Sequence, residues 1–208
     1  MRGTGRTVSR RKRDTDVAVV IADASPILTL ARVGRLDLLA TFDVPIHIVD
    51  QVFYEITKSG NDPRGEVKSA LARLHNKINI VETATGTGFR ALRERNPGHS
   101  GRGLGEQAVS EYAMKLSKTT GPSFVPLVLF EDPDVLDLPI AALKDVHLLN
   151  TTAWLFGLYR IGCLPEGLEL IAQIDNARKT PMRPFEKPAR TKKIRSAWQR
   201  KLQRHENG

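Results

Sequence analysis

Residues 17–23 read Val17-Ala18-Val19-Val20-Ile21-Ala22-Asp23, six apolar residues closed by an acid. An apolar run without polar alternation predicts a strand covered on both faces, the pattern of a parallel sheet. The strand stops at Asp23, and Ala24-Ser25-Pro26 opens a new apolar pattern at helical spacing. In open α/β sheets the carboxyl ends of the strands form the edge that meets ligands. Asp23 is therefore the first candidate for chemistry, although an aspartate there also reads as a cap on the following helix.

Working outward, strands and helices alternate. Ile27-Leu28, Leu30-Ala31 and Leu36 to Leu39 suggest one or two short helices, and Pro45-Ile46-His47-Ile48-Val49 a second strand. Asp50 is expected to cap a helix carrying Val52, Phe53, Glu55 and Ile56, and another helix is expected over about 63–75. Ile78–Val81 forms a third strand, Leu127–Phe130 a fourth and Val146–Leu149 a fifth. A helix starts near Gly105, and two more cover about 151–161 and 166–178. Residues 82–102, with Gly86, Gly88, Pro97, Gly98, Gly101 and four arginines, read as a mobile loop able to arch over a site. The expected fold is a single α/β domain over residues 16–178 with a mostly parallel sheet and right-handed crossovers.

The net charge of +9 conceals a division along the chain. Residues 1–13 hold six bases and no acid, and residues 178–208 hold eleven bases against Glu186 and Glu206. The body between them has 15 bases and 21 acids. Basic, flexible extensions at 1–15 and 179–208 suit phosphate backbones, which bind cations by counterion release; a merely solvated tail is the plain alternative. Trp198 among Arg195, Arg200 and Lys201 offers a stacking surface within that charge. No stretch approaches the roughly 18 apolar residues of a membrane helix. With no recognisable secretory leader and one cysteine, Cys163, a cytoplasmic protein without disulfides or membrane attachment is expected.

A second strand also ends in acids: Phe130 is followed by Glu131, Asp132 and Asp134. In a parallel sheet Asp23 and Asp132 share one edge, and first-turn acids on two helices, Glu55 and Glu106, can reach over it. Ionised carboxylates 4 Å apart repel by about 4 kcal/mol at an effective dielectric of 20, so such a cluster requires protons or a cation. Oxygen-only ligands favour Mg²⁺ or Mn²⁺ over zinc, and such an ion can activate water against a phosphodiester. Singly, each acid has another use: Asp132 can open a turn before Pro133, and Glu55 or Glu106 can be solvated helix charges.

In sequence order, Ala22-Asp23-Ala24-Ser25-Pro26, Val52-Phe53-Tyr54-Glu55-Ile56, Gly103-Leu104-Gly105-Glu106-Gln107-Ala108 and Phe130-Glu131-Asp132-Pro133-Asp134 resemble the PIN-domain family of metal-dependent nucleases. The segments Asn150–Leu155 and Arg160–Pro165 resemble the closing helices of its toxin-like branch. The resemblance spans about residues 16–178 and implies an α/β/α sandwich. It also implies a ribonuclease using Mg²⁺ or Mn²⁺, with Asp23, Glu55, Glu106 and Asp132 as the catalytic acids and Asp23, Glu106 and Asp132 on the metal. Ser25, Glu131 and Asp134 would be accessory. It further implies RNA as substrate, a cognate antitoxin protein and a homodimer. Phe130 departs from the hydroxyl residue many members carry there, Glu106 from the commoner aspartate, and the segment 82–102 from compact members.

The rival constellations are weaker. Gly101-Arg102-Gly103-Leu104-Gly105 invites a phosphate loop, but it follows no strand and lacks the lysine and hydroxyl of a nucleotide site. His47, His75, His99, His147 and His205 are scattered, leaving no basis for a histidine metal site or triad. The serious alternative is a PIN-like module that binds nucleic acid or protein without cutting. If the C-terminal extension binds phosphate, deletion of residues 179–208 should weaken RNA affinity and flatten its salt dependence; an unchanged salt slope would reduce the tail to a solubility device.

Overall fold

The computed structural model describes residues 16–177, apart from 59, 63, 102 and 120–123. The two basic extensions, with Arg195, Trp198, Arg200 and Lys201, lie outside the described residues. Five strands, β1 (Asp16–Ala22), β2 (Ile46–Val49), β3 (Ile78–Val81), β4 (Phe124–Phe130) and β5 (His147–Asn150), form one sheet ordered β3-β2-β1-β4-β5. Every neighbouring pair is parallel, so the mostly parallel expectation resolves to an entirely parallel sheet. Seven helices flank it: α1 (Ala24–Arg32), α2 (Asp50–Thr57), α3 (Glu66–Arg73), α4 (Ala84–Arg95), α5 (Leu104–Thr119), α6 (Thr151–Arg160) and α7 (Gly167–Ala177). No described helix is long and apolar enough to cross a membrane.

The physical reason for the apolar run is now visible. Val19, Val20, Ile21 and Ala22 are all buried although alternate residues face opposite sides of the sheet, which requires both faces to be covered. Leu129 and Phe130 behave likewise at the end of β4. The edge strands β3 and β5 hold only partly buried or exposed positions. Between β1 and β2 the chain is turned by Gly34, whose φ of 68° closes α1 with Gly34 N–H to Ala31 O at 3.0 Å and Arg35 N–H to Leu30 O at 2.8 Å. Arg35 then bonds Glu166 Oε1 at 3.0 Å, tying that turn to the segment before α7.

One expected loop is a helix. Residues 84–95 form α4, capped by Thr83, whose hydroxyl accepts from Gly86 N–H at 2.9 Å. Glu111 on α5 accepts from the Ala84 and Thr85 amides at 2.8 and 2.9 Å and from the Thr85 hydroxyl at 2.7 Å. Asp50 does not cap α2; the cap position is Val49, and the Asp50 carboxylate instead receives Thr83 Oγ1 at 2.8 Å and Arg90 Nη1 at 2.7 Å. Gly86 looked like loop punctuation because its reason is tertiary: a Cβ there would overlap the Asp50 carboxylate. Gly88, in the same helix, has open space around it. Gly86→Ala should therefore destabilise the fold by about 1–3 kcal/mol through overpacking, while Gly88→Ala should stabilise it by about 1 kcal/mol through helix propensity. Urea unfolding of the two variants checks the opposite signs.

Candidate active site

The sheet order sets the location. From β1 the chain moves to β2 and β3 on one side, then crosses to β4 and β5 on the other, so the order reverses between β1 and β4. The crevice at the carboxyl ends of two such strands is where open α/β sheets bind ligands. Asp23 follows β1 directly, and its amide continues the ladder to Leu129 O at 3.0 Å. Asp132 lies two residues beyond β4.

Asp23 is 4% exposed, and although it occupies the cap position of α1 its carboxylate makes no capping hydrogen bond. Burial pushes its pKa up to about 7; the Ala24 amide opposes the rise, and repulsion from Glu106, Glu55 and Asp132 adds to it. All three other acids thus act on Asp23 through space. Glu55 is half-buried and also raised, by burial first and by Glu106, with Lys58 opposing. It sits in the second turn of α2 and not in the first, as the sequence suggested, whereas Glu106 does lie in the first turn of α5. A residue the sequence pointed to only as a turn explains how the two helices meet. A Cβ on Gly105 would come within 3.1 Å of Glu55 Oε2 and 3.7 Å of Val52 Cγ2, so the missing side chain lets the Glu55 carboxyl rest against the start of α5.

Asp132 is exposed and its Oδ1 accepts from Asp134 N–H at 2.9 Å, so it performs the turn-opening task while repelling Asp23. Asp134 is exposed and contributes that backbone amide. Glu131 accepts from Thr29 Oγ1 of α1 at 2.8 Å, which ties that helix to the segment following β4. Ser25 is the half-buried second residue of α1. Phe130 is 6% exposed, a core residue at the site's floor where a hydroxyl had been the familiar alternative.

The donor set is oxygen-only, which fits a hard divalent cation and not zinc. The buried, like-charged environment of Asp23 also fits, because a cation there removes the repulsion that favours its protonated form. Among the described residues, however, no three acids, histidines or cysteines stand ready as a closed ligand group. Capture would require Asp23, Glu106 and Asp132 to draw closer around the ion.

A carboxyl raised in the folded state keeps a proton that the unfolded chain has already released. Stability should therefore fall as pH rises from about 4, the unfolded value, to about 7, with the full penalty above that. A shift of this size corresponds to an order of 4 kcal/mol. Asp23→Asn should raise stability at pH 8 and flatten the dependence between pH 4 and 7, as measured by urea unfolding. An unchanged pH profile would contradict the buried, repelled state of Asp23.

Among protein-family models, the family DUF3368, described as a PIN domain, matches residues 19–103. That span runs from β1 to the approach to α5 and contains Asp23 and Glu55, while Glu106 and Asp132 follow it. No curated protein matched the chain. Over residues 19–103 the chain is thus similar to PIN domains, and the five-stranded parallel sheet is that of a PIN-like α/β fold.

Proposed function

We propose that the protein is a Mg²⁺- or Mn²⁺-dependent ribonuclease that hydrolyses phosphodiester bonds at the β1/β4 crevice. The observation that carries this is Asp23: a buried carboxylate at the switch point of the sheet, unused as a cap and within electrostatic reach of three other acids. Charge arranged against stability in this way marks a site kept for a ligand. PIN domains are in general nucleases, which supports the same chemistry.

In the proposed mechanism Asp23, Glu106 and Asp132 would hold the ion. When bound, a divalent cation would lower the pKa of a coordinated water and neutralise charge on the phosphodiester. Glu55, whose raised pKa brings it nearer to neutrality, takes the proton of the attacking water at its carboxylate. Phe130 and the buried wall of β1 and β4 exclude bulk water beneath the crevice. Ser25 orients groups from the start of α1, with Glu131 and Asp134 as supports at the other strand end.

The toxin role, with a cognate antitoxin and a homodimer, is part of the proposal and rests on the resemblance to the family as a whole. Size-exclusion chromatography and co-purification from the native host test it. The non-catalytic reading has one observation in its favour: Asp132 is exposed and already engaged by Asp134 N–H.

One comparison separates the two readings. Single-stranded RNA, with single-stranded DNA beside it, is incubated with the full chain in Mn²⁺ or Mg²⁺, in EDTA, and as Asp23→Asn or Asp132→Asn. RNA cleavage that needs the metal and drops by about 100-fold or more in each variant is expected, the loss of several kcal/mol of charge stabilisation. Cleavage surviving chelation or either substitution would overturn the proposed site. RNA retention without metal-dependent cleavage would establish the binding module.

A further inference from the structure

Outside the four acids, α2 and α4 enclose an open cleft of about 420 Å³ lined by Asp50, Gln51, Tyr54, Phe89, Arg90 and Arg93, among others. It has the size of a small-ligand site but contains none of the catalytic acids. Its two cations are in different states. Arg90 is neutralised, bonded to Asp50 Oδ2 at 2.7 Å. Arg93 is half-buried and makes no ion pair with any described residue. Its guanidinium lies 5.1 Å from the Tyr54 ring centroid and 5.8 Å from that of Phe89, and it donates to the Tyr54 hydroxyl. Its Nε is buried with no acceptor among the described residues. Glu94 also lines the cleft, exposed, and forms no ion pair with it.

A fixed guanidinium, partly out of water and lacking a carboxylate, is under-compensated. Its planar fork and aromatic backing suit phosphate recognition better than a lysine would. The body of the chain is acidic overall, so an uncompensated cation here is set against the general field. Tyr54, which holds Arg93, directly precedes Glu55 in α2, so the cleft and the proposed site share that helix on faces about 100° apart.

We propose that the α2/α4 cleft, through Arg93 held by Tyr54, binds a backbone phosphate of single-stranded RNA flanking the phosphate to be cut. This rests on the nuclease reading and adds a substrate subsite to it. The sequence concealed this because residues 82–102 read as a loop, and a helix was needed to fix Arg93 over Tyr54.

The test measures binding of a labelled single-stranded oligoribonucleotide to the full chain in EDTA, across a salt series. Arg93→Gln should weaken binding about 5–10-fold and reduce the log–log salt slope by about 0.7, one phosphate contact on a single strand. Arg93→Lys should restore the slope, and Arg73→Ala, an exposed arginine on α3, should leave both quantities unchanged. On the unsubstituted chain, bound RNA should protect Arg93 but not Arg73 from phenylglyoxal, a readout independent of variant folding. Unchanged affinity and slope in Arg93→Gln, or no protection of Arg93, overturns the proposal. Failure of the nuclease reading shows separately, as absence of Mn²⁺-dependent cleavage by the unsubstituted chain with the EDTA binding result intact.

Discussion

The structure turns on a carboxylate held almost wholly out of solvent. Asp23 directly follows the central strand, is almost fully buried, and is repelled by three other acids. An isolated charge in such a place neutralises by taking a proton, which is why burial pushes its pKa up to about 7. A divalent cation is the other way to neutralise it. The same site would thus be protonated and quiet without metal at or below neutral pH, and ionised and chemically competent with it. The fold tolerates the strain because the β1/β4 ladder holds the Asp23 backbone in place whatever the state of its side chain.

The surrounding elements bring acids to that point from separate parts of the chain. Reversal of strand order opens the crevice, and α2 and α5 meet closely because Gly105 leaves room for the Glu55 carboxyl. Helix α4 is strapped across α2 and α5 by two carboxylates acting at its start, Asp50 and Glu111. That strap aligns Arg93 with Tyr54, next to Glu55. At the end of β4, Phe130 is packed into the core.

Much of this was legible in the residues. The strands announced themselves because burial on both faces imposes unbroken apolar runs, and 17–22 and 127–130 have them. Asp23 and Asp132 were legible as strand-end acids, and Glu106 as a first-turn acid. What escaped was set by distant partners. Helix α4 carries only Phe89 as a buried large side chain, and its stability comes from Glu111 and Asp50, which no local pattern reveals. Gly86 and Gly105 read as breakers although each makes room for a carboxylate from another helix. Asp50 looked like a cap and is a tether, because its partners Thr83 and Arg90 are remote in sequence.

The most direct measurement is an anomalous difference map from crystals of the full chain soaked in Mn²⁺ at about pH 8, where Asp23 is expected to be ionised. The predicted result is one strong peak between the ends of β1 and β4, about 2.0–2.2 Å from oxygens of Asp23 and Asp132, with Glu106 turned inward to join them. A map with no peak in that crevice, or with manganese bound only elsewhere, would contradict the claim that these acids form a metal site.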